Sequence, residues 1–316
     1  MDRFSTEKKT TLDSPLTTIV TMIKKLNKDE QRTVKQIREH YEVERKLADK
    51  LRNASRKERR TLYSSLYEEL FRLVPDLPIL IRKKSPELQQ KIVQRQIQIL
   101  SSMLDENKSF LEVGPGSCAL AFHVANFVKE VYAVDVSKTI TESSNIPRNF
   151  KLLLSDGCSI PVPKNSIDIV YSNQLMEHIH PDDASNQLKN IFEALAPGGE
   201  YLCLTPNRLN GPHDISKYFD TVATGFHLKE YTVTELSMLF KNAGFSKVMM
   251  CIKVMNKYIR MPIFPVVLCE SILKYLPIRL SHILANTYPL RPLLFIRLLG
   301  VKNDEKRAYR NRRKLY

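Results

Sequence analysis

The sequence predicts an α/β fold: a Rossmann-like, doubly wound, mostly parallel sheet with a final antiparallel strand, preceded by an all-helical N-terminal region. Three observations carry this. Residues 1–108 hold helix signals and no glycine. From residue 109 short apolar runs alternate with amphipathic ones, the pattern of a parallel sheet covered by helices. The first of those runs, Phe110-Leu111-Glu112-Val113-Gly114-Pro115-Gly116-Ser117-Cys118, breaks into two glycines one residue apart, which reads as strand, tight turn and helix N-terminus.

Taken in order, Ser14-Pro15 is an N-cap followed by proline, with Leu16, Ile19, Val20 and Ile23 on one face of a short helix. Asn27–Glu30 and Ser55–Glu58 have capping-box spacing. They open one helix bearing Val34, Ile37, Tyr41, Leu47 and Leu51 and another bearing Leu62, Tyr63, Leu66, Tyr67, Leu70 and Phe71, closed by Pro75 and Pro78. Ser85-Pro86 starts a fourth, with Leu88, Ile92, Ile99 and Met103 apolar. Amphipathic faces of this kind must pack on something, and a helical cap over the following domain is the simplest arrangement.

Strands are expected at 109–114, 130–135, 150–155, 167–173 and 200–205, with helices at 117–128, about 138–144, and 182–196 before Pro197-Gly198-Gly199. Thr232 with Glu235 caps another helix that ends at Gly244, and a sixth strand follows at 245–254. Residues 262–289 read as one or two hydrophobic helices broken by Pro277, and 293–301 as the last strand. The expected organisation is therefore a helical cap (1–108), a central ligand-binding domain (109–256), a hydrophobic helical insertion with the last strand (257–302) and a basic, solvated tail (303–316) that also takes in Lys302.

The net charge of +15 is unevenly placed: residues 1–108 sum to +8, 109–256 to −3 and 257–316 to +10. A polyanion or an anionic lipid surface would be met by the flanks rather than the centre. Cysteines 118, 158, 203, 251 and 269 form no C-x-x-C pair, so neither a disulfide framework nor a zinc knuckle is indicated. With polar residues from Met1 to Asp13 and no uninterrupted apolar run of spanning length, a cytoplasmic protein with optional peripheral membrane contact is expected.

The glycine turn lets backbone approach a ligand, and the following helix offers it unpaired N–H groups. Asp135 ends the second strand, 21 residues beyond Gly114, where a carboxylate can accept both hydroxyls of a ribose. Then come Ser155-Asp156-Gly157, Ser172-Asn173-Gln174-Leu175-Met176-Glu177-His178-Ile179 and Ala196-Pro197-Gly198-Gly199. Over residues 105–255 this series resembles the class I S-adenosylmethionine-dependent methyltransferases, in the type 11-like branch that methylates small molecules. The resemblance implies that Gly114 and Gly116 admit the methionine end of the donor, with Glu112 near its amino group. It also implies that Asp135 holds the ribose and Asp156 the adenine with Gly157 beside it, Asn173 sitting next to the donor. Cys118 stands where the family often has a third glycine.

Methyl transfer from a sulfonium is an in-line displacement, so positioning is the main task and a base helps a hydroxyl acceptor. His178 and His213 are the candidate bases, one past the fourth strand and the other in the loop after the fifth. His178, His180, His213, Asp214 and His227 are the residues that could gather round a metal, but His178-x-His180 is not a ligand spacing on a helix face, and no metal site is assigned. The long loop Gly211–Asp220 with Gly225–Thr232 is rich in polar and aromatic residues, so a functional role is expected for it. It resembles that of bacterial methyltransferases acting on glycans and glycolipids. The expected reaction is thus methyl transfer from S-adenosylmethionine, leaving as S-adenosylhomocysteine, to a small-molecule, glycan or glycolipid hydroxyl. The rivals are a nucleic-acid methyltransferase using the basic flanks, a nicotinamide oxidoreductase and a non-catalytic nucleoside-binding module. Against the nucleic-acid reading, no Asn/Asp-Pro-Pro-Tyr/Phe or Pro-Cys follows the fourth strand.

Overall fold

Side chains that cap their own helices define the N-terminal region. Thr33 accepts from the N–H of Gln36, whose side chain returns to the Thr33 N–H, and this box opens α1 (Val34–Asn53). The same exchange between Ser55 and Glu58 opens α2 (Arg56–Leu73), and Ser85 with Pro86 opens α3 (Pro86–Leu100). The computed structural model describes residues 30, 32–78, 80, 85–137 and 146–304. The helices expected from Ser14-Pro15 and at 138–144, the cap residue Asn27, and the tail beyond Asp304 lie outside those residues. The box that starts α1 is Thr33–Gln36.

After α3 the chain alternates as expected. The elements are β1 (Ser109–Val113), α4 (Ala119–Val124), β2 (Glu130–Asp135), β3 (Phe150–Leu154), β4 (Ile167–Asn173), α5 (Pro181–Ala194), β5 (Leu195–Thr205), α6 (Val233–Ala243) and β6 (Lys247–Val254). Then follow β7 (Lys257–Pro262), α7 (Phe264–Tyr275), α8 (Ile278–Ala285), α9 (Leu290–Leu294) and β8 (Ile296–Val301). The sheet order is β3-β2-β1-β4-β5-β8-β6-β7. Strands β1 to β5 pair in parallel, and β8 lies antiparallel between β5 and β6. The final strand is therefore antiparallel, as expected. The hairpin partner β7, antiparallel to β6, was not legible: Lys-Tyr-Ile-Arg-Met-Pro is an exposed edge strand without an alternating apolar face.

The two faces of the sheet bury separate cores, because strand residues alternate in direction. Leu111 and Val113 face a core that includes Leu47, Leu51, Tyr63 and Leu66 of α1 and α2, together with Leu188 and Ile191 of α5. Phe110 faces the other side, with Cys118, Val124, Ile99 and Leu100. Each such side chain contributes about 1.5–3 kcal/mol by leaving water. This partition corrects the single-cap expectation for residues 1–108. α1 and α2 cover one face of the sheet, while α3, which runs almost directly into β1, packs its Val93, Ile99 and Leu100 beneath the other. Lys302 is likewise not part of a solvated tail: its ammonium donates to the carbonyls of Phe192 and Leu195 at the end of α5.

Candidate functional site

The strand order reverses between β1 and β4, the place where doubly wound sheets leave a crevice at their carboxyl ends. A cavity of about 310 Å³ lies there. Its floor is Gly114 and Gly116 after β1, Asp135 at the end of β2, Ser155 and Gly157 after β3, and Gln174 and Leu175 after β4. The roof is Tyr63, Tyr67 and Phe71 of α2, and His178 forms part of the wall.

The glycines are required by this geometry. Gly114 and Gly116 have φ of +69° and +60°, and a Cβ built on Gly116 would meet nothing within 4 Å, so the turn leaves open room for a ligand to touch backbone. Gly157 has φ +89°, and a Cβ there would stand 2.5 Å from the Tyr63 ring. Its carbonyl accepts from Gln187 of α5 at 2.7 Å, which pins the β3 turn to the helix behind it. Cys118 closes the first turn in the left-handed region, φ 57°, where a glycine would sit without strain.

Of the residues expected to hold a donor, Gly114, Gly116, Asp135 and Gly157 are brought together around the cavity, and Glu112, Asp156 and Asn173 do not line it. Glu112 shares the Phe110 face of β1 and accepts from the Ala121 N–H behind the turn; burial, followed by the neighbouring Asp135 charge, pushes its carboxyl up to about 8. Asp156 turns back to accept from the N–H groups of Cys158 and Ser159 and pairs with Arg60 at 3.3 Å. Asn173 is the last residue of β4, and the next two residues, Gln174 at φ 55° and Leu175, reach the cavity in its place.

The two candidate bases separate. His213 is not a cavity residue: its Nε2 lies 3.1 Å from the Asn207 carbonyl and 3.0 Å from Asn210, and its N–H donates to Glu230, so it orders its own loop. His178 lies in a 3₁₀ turn (Met176–His178), with Nδ1 2.9 Å from the Phe226 carbonyl. A carbonyl only accepts, so Nδ1 carries the proton and Nε2 the lone pair. Burial, and then the nearby His227, pushes His178 down to about 3, so the ring is neutral at ordinary pH.

His227, 49 residues beyond His178, arrives because the 206–232 loop docks on α1. Ile215 and Tyr218 bury against Ile37 and Tyr41, and the rings of Tyr41 and Phe219 stack at 4.3 Å. Glu44 accepts from the Phe226 N–H, Arg52 donates to the carbonyls of Thr224 and Gly225, and Asp214 accepts from the Gly225 N–H. This leaves His227 edge-on to His178, with ring centroids 4.9 Å apart. One donor atom each of Glu177, His178 and His227 lies within 4.8 Å of the other two, a set suited to a metal ion. His180 and His213 are not in it: the His180 ring caps α5 through the Asp182 N–H. Burial drives the Glu177 carboxyl up to about 7, with His227 and Thr205 opposing. Burial also opposes charge on His227, but its bond to Glu230 and the carboxylates of Glu177 and Asp214 hold its pKa above the ordinary value.

At helical spacing Tyr63 and Tyr67 read as packing residues that could also line a substrate mouth, and nothing in the sequence brings Glu177 near His227. The i, i+4 spacing of the two tyrosines was visible, but only the docking of α2 decides that they roof a cavity.

Residues 111–203 match a protein family described as a methyltransferase domain. The chain is 30% identical over 146 residues to a probable S-adenosylmethionine-dependent methyltransferase of Mycobacterium tuberculosis, covering 46% of this chain and 51% of that protein. It is 26% identical over 192 residues to a tRNA N(3)-cytidine methyltransferase of Bos taurus, covering 52% and 51%. The chain thus spans about half the length of the curated relatives it matches. Among solved structures, phosphoethanolamine N-methyltransferase 1 of Haemonchus contortus, in complex with phosphoethanolamine and S-adenosylhomocysteine, shares the fold. Its TM-score is 0.52 at 14% identity, over 79% of this chain and 50% of that one.

Proposed function

Because the chain carries a class I S-adenosylmethionine-dependent methyltransferase domain of the type 11 kind, we propose that it methylates a hydroxyl oxygen of a small-molecule, glycan or glycolipid acceptor. The observation that carries this reading is the cavity that joins the Gly114, Gly116, Asp135 and Gly157 floor to His178 under an aromatic roof. When bound, the donor supplies an electrophilic methyl group on a sulfonium. The chain's own residues supply position and dryness. Gly114 and Gly116 leave room for backbone contact, Asp135 offers acceptors at the β2 tip, and Tyr63, Tyr67 and Phe71 exclude water from above. His178 presents an unprotonated Nε2, held in that tautomer by the Phe226 carbonyl, to take a proton from an acceptor hydroxyl.

A lipid-bearing acceptor is favoured by the outer face of α7 and α8. Phe264, Ile272, Ile278 and Ile283 are 56–80% exposed there, with Lys274 and Arg279 among them. The nucleic-acid reading keeps one specific support, the likeness to the Bos taurus tRNA-modifying enzyme, together with the basic flanks.

Transfer of a labelled methyl group into a fractionated cell extract tests the proposal. Label is expected in a nuclease-resistant glycan or lipid fraction. His178→Ala is expected to lower the rate by about 10²-fold or more while donor affinity stays within about threefold, since loss of a general base acts on the chemical step. Label in a nuclease-sensitive fraction overturns the hydroxyl reading in favour of RNA. Donor binding without turnover on any fraction favours a non-catalytic module.

A further inference from the structure

We propose that Glu177, His178 and His227 form a divalent transition-metal site at the inner wall of the donor cavity, taking the ion through two imidazole nitrogens and one carboxylate oxygen.

Three features converge on it. The three donor atoms already lie within 4.8 Å of one another, and ligands held about 2.0–2.1 Å from a tetrahedral ion are about 3.4 Å apart, so side-chain rotations of an ångström or so close the site. Glu177 is fully buried, Thr205 donates to its Oε2 at 2.8 Å, and its Oε1 has no hydrogen-bond partner. A buried carboxylate oxygen left without a partner is costly, and a cation relieves that cost. Both rings are oriented as metal-bound histidines are, by an acceptor on the far nitrogen: the Phe226 carbonyl 2.9 Å from Nδ1 of His178, and Glu230 Oε1 2.7 Å from Nδ1 of His227. Each pairing directs the Nε2 lone pair away from that acceptor and leaves it available to an ion.

The site is reachable from two sides. His178 lines the donor cavity, and His227 lines a second cavity of about 150 Å³ beside Pro212, Val222 and Leu228. Two imidazoles with one carboxylate suit Zn²⁺, Fe²⁺, Co²⁺ or Mn²⁺, whereas Ca²⁺ and Mg²⁺ prefer all-oxygen sets. Three protein ligands leave the remaining positions of the ion open. An ion bound there would take the Nε2 lone pair of His178, so in the loaded chain the ion, by polarising an acceptor oxygen, would replace His178 in easing loss of the hydroxyl proton; that role rests on the methyl-transfer reading, but the existence of the site does not.

The full chain, stripped with a chelator, is titrated with Co²⁺ and its visible d–d absorption followed, with donor affinity measured in the same samples. One equivalent is expected to bind with a spectrum of mixed nitrogen and oxygen ligation, displaced by Zn²⁺. Glu177→Gln and His227→Gln are each expected to weaken it by about 100-fold. Glu230→Gln, which meets His227 only at its far nitrogen and also holds the His213 N–H, is expected to weaken it by about tenfold. No d–d band in the wild-type chain overturns the proposal, and so does a band that survives unchanged in the His178→Gln/His227→Gln double variant. Donor affinity retained while Co²⁺ binding is absent in wild type sinks the metal site alone. Loss of donor binding sinks the methyl-transfer reading instead. Near-ultraviolet circular dichroism identifies any variant that fails to fold, and Glu230→Gln, which leaves all three ligands in place, keeps the test decisive in that case.

Discussion

At the scale of single residues, the site is written in backbone conformations that few side chains tolerate. Gly157→Ala adds a Cβ at φ +89° that stands 2.5 Å from Tyr63, so it forces either the β3 turn or the cavity roof to move. Its affinity for the donor, measured by calorimetry, is expected to fall at least about tenfold. Cys118 occupies a left-handed position with its side chain buried beside Phe110 and Ala121. Cys118→Val, β-branched at φ 57°, is expected to cost about 1–3 kcal/mol in denaturant unfolding. Glu112 gives a pH signature. Its carboxyl is raised from 4.5 to about 8, so between those values the folded chain holds a proton that the unfolded chain releases. The contribution of Glu112 to stability is therefore full below about pH 4.5 and is lost as pH rises toward 8. Thermal midpoints of the donor-free chain should fall across that window, and those of Glu112→Gln should fall less, the two proteins matching at the acid end. The glycines were legible in the sequence because their spacing is local. That Glu112 and Asp156 turn away from the cavity was not, because strand parity and a turn's own hydrogen bonds decide it.

Among elements, the contact that holds the roof over the cavity is a buried ion pair between α2 and α5. Arg59 donates to both oxygens of Asp183 at 2.6 and 2.8 Å, and the Tyr63 hydroxyl donates to the same carboxylate at 2.9 Å. Tyr63 in turn accepts from the His180 N–H, so one network ties the roof to the start of α5. Asp183→Ala leaves the buried Arg59 charge with only the exposed Asp182 carboxylate, 3.9 Å away, a loss of up to about 3–5 kcal/mol. Equilibrium unfolding is the check, and donor affinity should fall with it because Tyr63 loses its anchor. An exchange of the pair for Arg59→Met with Asp183→Leu should recover most of the stability. Helix periodicity announced α1, α2 and α3 in the sequence. It did not say that α3 passes to the opposite face of the sheet, because an amphipathic stripe specifies that a face is buried and not against what.

Across the whole molecule, basic charge is concentrated in the two flanks of the sequence, and large apolar side chains stand exposed on α7 and α8. Among the described residues no helix is long and apolar enough to cross a membrane, yet Phe264, Ile278 and Ile283 stand 68%, 80% and 60% exposed on α7 and α8. Co-sedimentation with anionic vesicles at low salt is expected, weakened by added salt and by Ile278→Glu with Ile283→Glu. Equal recovery of wild type and variant in the supernatant would remove the lipid-bearing acceptor from consideration. By itself the sequence determined the alternation of strands and helices, the glycine turn, the acid at the tip of β2 and the basic flanks, all of which arise from spacing within a few tens of residues. Only the tertiary structure decided which of those residues share a cavity. The meeting of His178 with His227, across 48 intervening residues, depends on α1 clamping the 206–232 loop through Tyr41, Glu44 and Arg52. Such a contact is set by the packing of a whole helix, and packing leaves no periodic trace in the chain that it brings together.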